Sequence, residues 1–318
     1  MPMLIMRRRV LFAALPALLL AGRAQAQARR LELASYSSQT LGATAAQLFV
    51  DKLALLPDAF QVEVAEQPPT KPFDALARAS ALASYYAPAF ATDEPVLGLS
   101  AVPMLAASFD EAEALLRIAR PSYAAALARH GQVLLGVEPW RPAALWSTFR
   151  LRSAGDLRGA RFALDETSYV GDGWAGLFAR LGAERTVYGD AEVVLSGGYT
   201  PSLVLAREFA CVTEVFFALQ LTFLTASRKM FESLTAAQRE ALVAVGRETE
   251  AELWRGVGAF VHRDQQEVAR RGVVVSEPPA DVLAALRNAA EPDVRRWVAA
   301  MGAEGASVLA AYRRTIGF

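Results

Sequence analysis

Arg141, set between Trp140 and Pro142, and the nearby Arg150 and Arg152 are the cationic side chains best placed for chemistry in this sequence. In a recess, a guanidinium grips a carboxylate through two parallel N–H···O bonds, so such a group is a candidate anion site. Only Lys52, Lys71 and Lys229 are lysines, however, so arginine is the default cation here and a solvated surface role competes for each. Aromatic side chains gather near the ends of expected elements: Tyr36, Tyr85 with Tyr86, Trp140, Trp146, Tyr169 and Tyr199. Their apolar faces can hold the body of a small ligand while phenol and indole groups give direction; core packing is the alternative. Gly171-Asp172-Gly173-Trp174-Ala175-Gly176 fits a Gly-x-Gly-x-x-Gly pattern. It stands mid-chain rather than at a first βα turn, so free helix amides at a cleft are a better reading than a dinucleotide site.

Other chemistries find little support. His130 and His262 are far apart and no Cys/His cluster exists, so no metal and no cofactor is expected. There is no Gly-x-Ser-x-Gly elbow, His-Glu-x-x-His or phosphate-binding loop. Asp93-Glu94 and Asp110-Glu111 read as turn and first-turn helix residues. An exported enzyme would have to rely on a cleft carboxylate such as Asp165 or Glu166. Cys211 is the sole cysteine, in an apolar stretch, and reads as a small buried hydrophobe.

Residues 1–26 read as an export signal: Arg7-Arg8-Arg9, an apolar core from Val10 to Ala21, and a small-residue site at Ala24-Gln25-Ala26. Either a Sec or a twin-arginine signal fits, and a periplasmic location is expected. The full chain is formally neutral, and without those residues it carries 29 basic against 33 acidic side chains, which argues against nucleic acid as a partner. About 290 remaining residues exceed the usual size of a single core, so two lobes are expected.

The elements that must position these residues alternate between strand and helix. Leu31–Tyr36 and Phe60–Val64 alternate as strands around a helix from Gly42 to Leu56, a βαβ-like opening. A short run at Ala81–Ala87 follows, then a helix capped by Ser108 with Glu111 and ending before Pro121. Val133–Val137, Leu145–Phe149, Ala160–Leu164, Glu208–Thr213 and Phe216–Thr225 are further strand candidates, with a helix over Trp174–Leu181. Thr235 and Gln238 form another capping box, opening a proline-free helix towards Arg271 that Gly256 and Gly258 could divide. Val273–Val275 and helices after Asp281 complete an α/β chain.

The segment Asp156-Leu157-Arg158-Gly159-Ala160-Arg161-Phe162-Ala163 resembles the start of the second lobe in the periplasmic solute-binding proteins of TRAP transporters, the DctP family. Pro95–Leu105, Leu181-Gly182-Ala183, Glu192 near that family's Glu-Val-Tyr helix, and Phe231–Gln238 followed by the long helix and Arg271-Gly272-Val273 stand in the same order as in the family. The resemblance implies a two-lobed periplasmic-binding-protein type II-like fold with crossover strands and a long helix bridging both lobes. Lobe I would hold 27–142 and about 226–262, and lobe II about 143–225 and 263–318. It implies a receptor that captures a small organic acid or partly aromatic metabolite and delivers it to a membrane permease driven by an ion gradient; a sensor of the same fold is the alternative. The family's carboxylate-clamping arginine is replaced by Ala163, the position some twenty residues earlier is Ala143, and Thr200 stands for the family's ligand asparagine. Recognition is therefore expected to differ from that of a simple dicarboxylate. The ligand-binding set expected is Tyr36, Tyr85, Arg141, Trp146, Arg150, Tyr169, Tyr199 and Thr200.

Overall fold

The computed structural model of the chain describes residues 29–35, 41–56, 60–66, 73, 76, 81–164, 172–196 and 202–317. In chain order the elements are β1 (Arg29–Ser35), α1 (Leu41–Ala54), β2 (Phe60–Glu66), β3 (Leu82–Tyr86), α2 (Phe109–Arg129), β4 (Gln132–Pro139), β5 (Ala144–Ser147), β6 (Arg161–Leu164) and α3 (Asp172–Arg180). Then come β7 (Glu184–Arg185), β8 (Val193–Ser196), α4 (Ser202–Leu205), β9 (Cys211–Thr213), β10 (Leu221–Ser227), α5 (Arg228–Glu232), α6 (Ala236–Arg270), β11 (Val274–Ser276) and α7 (Ala280–Ile316). They build two mixed sheets, ordered β2-β1-β3-β10-β4 and β11-β9-β5-β8-β6-β7.

In the first sheet β1 pairs in parallel with β2 and β3, while β10 runs antiparallel between β3 and β4. One face carries Tyr85, Val137 and Phe223 against α2 and the later part of α7; the other carries Leu33, Leu82 and Leu224 against α1 and the start of α6. β10 is buried along its whole length because both its faces and both its edges are covered. In the second sheet Leu145, Phe162, Val193 and Leu195 meet α3 and the start of α7, while Trp146, Val194 and Val212 meet Leu205 of α4 and Val268 of α6. α6 and α7 therefore each touch both sheets. The first sheet takes in Leu221–Ser227, and Val294–Tyr312 pack on its core, whereas the sequence division gave most of both stretches to the second lobe.

Local chemistry explains most boundaries. Ser108 Oγ accepts the Glu111 N–H at 3.2 Å, while the Glu111 carboxylate turns to the Ala107 N–H at 2.8 Å. α2 does not stop before Pro121, as expected from sequence, but continues to Arg129. A helical proline costs about 3 kcal/mol, and Leu115, Leu116 and Ala119 before it and Tyr123, Ala126 and Leu127 after it bury one continuous face that outweighs this. Glu192 precedes a strand rather than joining a helix, because Val193, Val194 and Leu195 alternate into cores on both sheet faces. α6 runs 35 residues unbroken, with the Thr235–Gln238 box in place, so Gly256 and Gly258 do not divide it. α7 changes direction at Gly302, whose φ of 62° suits glycine.

Candidate functional site

Two extended segments carry the chain from one sheet to the other, and they pair. Residues 140–143 leave β4 for β5, and residues 214–220 leave β9 for β10. The Trp140 N–H donates to Gln220 O at 2.9 Å, Ala143 N–H to Ala218 O at 3.0 Å, and Phe217 N–H to Ala143 O at 3.0 Å. α6 runs alongside. Its Glu250 accepts the Val137 N–H at 2.8 Å and its Trp254 indole donates to Val137 O at 3.0 Å, closing the open edge of β4 with side chains. Gly246 permits this approach: a Cβ there would lie 2.6 Å from Leu135 O.

Where the first sheet meets the crossing, buried polar side chains lie together, and some of their atoms lack partners. Tyr86, Thr222 and Glu138 sit directly opposite one another on β3, β10 and β4, hence on one face. Ser84 lies two residues before Tyr86 on the same face. The Trp140 indole N–H donates to Thr222 Oγ1, and its ring stands 5.3 Å from that of Tyr86. Glu138 is 3% exposed and neither carboxyl oxygen has a hydrogen-bond partner. Burial pushes its carboxyl well above the ordinary value, and the Glu250 carboxylate adds to this. Ser84 Oγ, Gln220 Nε2 and Thr249 Oγ1 are likewise buried and unpartnered. Folded proteins leave few such groups unmet, so these atoms beside a crossing between sheets make the candidate site for a polar molecule.

On the second-sheet side of the crossing Arg141 is bound into a cluster of ion pairs, although its Nε and the Trp146 indole N–H make no hydrogen bond. Arg141, 6% exposed, donates to Ser202 Oγ at 2.6 Å and Glu214 Oε1 at 3.3 Å, and its Nε lies 3.2 Å from Asp264 Oδ2. Ser202 Oγ in turn donates to Asp264 at 2.5 Å. The guanidinium lies 5.9 Å from the Trp146 ring centroid. One cation thus serves two carboxylates, and burial raises the Glu214 carboxyl, against the pull of Arg141 and a bond from Gln265. This cluster joins the first crossing, the second crossing, α4 and α6.

Of the residues expected from sequence, the structure brings Arg141 and Trp146 together. Tyr85 lies in the first core, its ring 4.7 Å from Phe90 and 6.4 Å from Phe223, and burial raises its phenol. Arg150 is exposed past Ser147, the end of β5 away from the crossing, where its charge acts on buried Cys211. Tyr36, Tyr169, Tyr199 and Thr200 lie outside the described residues, as do Asp165 and Glu166. Arg152 is tied through its backbone N–H to Asp156 at 2.7 Å. His130 pairs with Glu94 at 2.9 Å and stacks on Phe73, while His262 bonds Gln266 on the exposed side of α6. In the glycine-patterned segment Trp174 packs in the second core and donates to Ala101 O at 2.9 Å. Glu138, Glu214, Asp264 and Ser202 were not singled out by sequence. The available signal for Glu138 was an acid closing an otherwise apolar strand.

A separate hollow of about 430 Å³ lies between Pro88, Gly98, Trp174, Arg296 and Trp297. Its Arg296 pairs with Asp293 at 2.8 Å and its Trp297 indole donates to Pro95 O at 2.9 Å. The unmet groups at the crossing make the stronger candidate.

Two mixed sheets, paired crossings between them and a helix that touches both define a two-lobed periplasmic-binding-protein type II-like fold. It is the fold of the TRAP periplasmic solute-binding proteins, as solved structures show. DctP7 of Bordetella pertussis, an extracytoplasmic solute receptor binding pyroglutamic acid, has a TM-score of 0.76 at 22% identity, over 90% of this chain and 100% of that one. A marine metagenome TRAP solute-binding protein from an unidentified microbe, specific for pyroglutamate, has a TM-score of 0.77 at 20% identity, over 91% and 99%. One from Sulfitobacter with bound β-D-galacturonate has a TM-score of 0.73 at 14% identity, over 90% and 100%. No family model matches the sequence, and no curated protein does. No helix among the described residues is long and apolar enough to cross a membrane.

Proposed function

We propose that the chain is an extracytoplasmic solute receptor of the TRAP type, which closes over a small organic acid and delivers it to a membrane permease. The observation that carries this reading is the group of unpartnered buried polar atoms around Glu138 at the crossing, in a fold whose solved relatives bind small acids. In this reading one lobe is built on the first sheet and the other on the second, with α6 and α7 shared. Closure follows because a solute touching both lobes favours the state in which both contacts exist. The expected location is the periplasm, reached through the signal of residues 1–26. Of the expected ligand set, Arg141 and Trp146 act from beneath the cleft, and Tyr36, Tyr169, Tyr199 and Thr200 remain proposed contacts. Pyroglutamate, galacturonate and simple C4-dicarboxylates are the first probes.

The test is a thermal-shift screen of small acids, joined to mass spectrometry of solute released from freshly purified protein. A true ligand at a hundred times its Kd stabilises by about 2.7 kcal/mol, enough for a clear rise in Tm. Unchanged solute in the released fraction is expected. Chemical turnover of the added acid by the isolated protein would overturn the receptor reading.

A further inference from the structure

Glu138 poses a chemical question that the solute must answer. Its two carboxyl oxygens are buried and unpartnered. The charged group acting on it is the like-signed Glu250, itself occupied by Arg120 and the Val137 N–H. Arg141 is bound to Glu214 and Asp264. No described cation is therefore available to Glu138, and whatever completes it must bring a hydrogen-bond donor. In the neutral form that burial favours, Glu138 would offer one O–H and one C=O side by side.

Resting on the receptor reading above, we propose that Glu138 is a specificity-determining ligand contact and that the solute presents it a cis-amide edge, an N–H beside a C=O, as in a five-membered lactam acid. The acid O–H donates to the lactam carbonyl and the lactam N–H donates to the acid carbonyl, two parallel bonds that pair the Glu138 carboxyl with the amide edge of the solute. The Tyr86 ring belongs to the same row as Glu138 and the Trp140 ring stands 5.3 Å from that ring, flat faces that suit the flat ring of such a solute. A carboxylate-only solute meets acceptors here and is rejected, because a buried polar group left unpaired discriminates strongly.

The experiment is calorimetric titration of wild type, Glu138→Gln and Glu138→Leu with pyroglutamate and with its lactone analogue, in which ring oxygen replaces N–H. Wild type is expected to bind the lactam at least about tenfold more tightly than the lactone. The glutamine amide reproduces the same donor and acceptor, so Glu138→Gln keeps lactam affinity within about fivefold, while Glu138→Leu loses roughly 10–100-fold. Both unliganded variants should melt at or above the wild-type temperature, since each removes a buried unpaired acid. Lactone binding equal to lactam binding, unchanged affinity in Glu138→Leu, or a wild type that holds another small acid but ignores the lactam overturns this inference and leaves the receptor standing. A loss in Glu138→Gln as deep as in Glu138→Leu, with proline preferred to pyroglutamate, overturns it in favour of a cationic nitrogen. A wild type that binds no solute in any trial ends the receptor reading, and this inference falls with it.

Discussion

Arg141 meets Glu214, Asp264, Ser202 and the face of Trp146 in one partly dry place. Removing one member of such a buried cluster costs more than the cluster contributes, because its partners stay buried without compensation. Arg141→Met is therefore expected to destabilise by about 3–5 kcal/mol at pH 7 in urea denaturation. The loss should shrink towards pH 5. The folded Glu214 carboxyl titrates above its unfolded value, so its term is fully present below the ordinary glutamate range and is lost as pH rises through the folded value. Without Arg141 that folded value climbs further, and protonation relieves the stranded charge. A pH-independent loss would show that Glu214 is not the residue left exposed to the change. Arg141 was legible in sequence as a candidate anion-binding cation, but its partners were not. Glu214 and Asp264 lie far along the chain, and only the folded path of the second crossing and of α6 brings them to it.

At the scale of elements, α6 offers an internal comparison. At Gly246 a Cβ would press to 2.6 Å on the Leu135 carbonyl oxygen, backbone against backbone, whereas nothing lies within 4 Å of a Cβ at Gly256. Gly246→Ala should cost about 1–3 kcal/mol by forcing the helix off β4. Gly256→Ala should gain about 0.5–1 kcal/mol by helix propensity alone. Paired thermal melts check both, and an equal sign would refute the close-approach argument. α6 itself was readable because its cap, its spacing and its lack of proline agreed. The end of α2 was misread because Pro121 is a local stop signal overruled by Tyr123, Ala126 and Leu127, whose burial is a tertiary fact. β8 was missed because four residues beside a glutamate carry too little period to distinguish strand from helix.

For the whole molecule, the paired crossings are the natural place for bending. Met104 and Phe216 both hold left-handed backbone, with φ of 54° and 45°, and the Met104 N–H donates to Phe217 O at 2.7 Å. Non-glycine residues in that region store about 1–3 kcal/mol each, and such strain collects where a fold must switch. α6 and α7 reach both cores and so limit closure to a swing about these segments rather than free separation. The lobed organisation was legible from chain length and from the order of strands and helices, but not the boundary at β10, which needed the pairing of Leu221–Ser227 with β3 and β4. If the crossings bend, saturation with a bound acid should lower the radius of gyration in small-angle X-ray scattering, and the Gly256→Ala variant should compact equally, since its helix is stiffened away from the bend. Tight binding with an unchanged scattering curve would mean that the solute enters a cleft already formed, and the strain at Met104 and Phe216 would then have no part in capture.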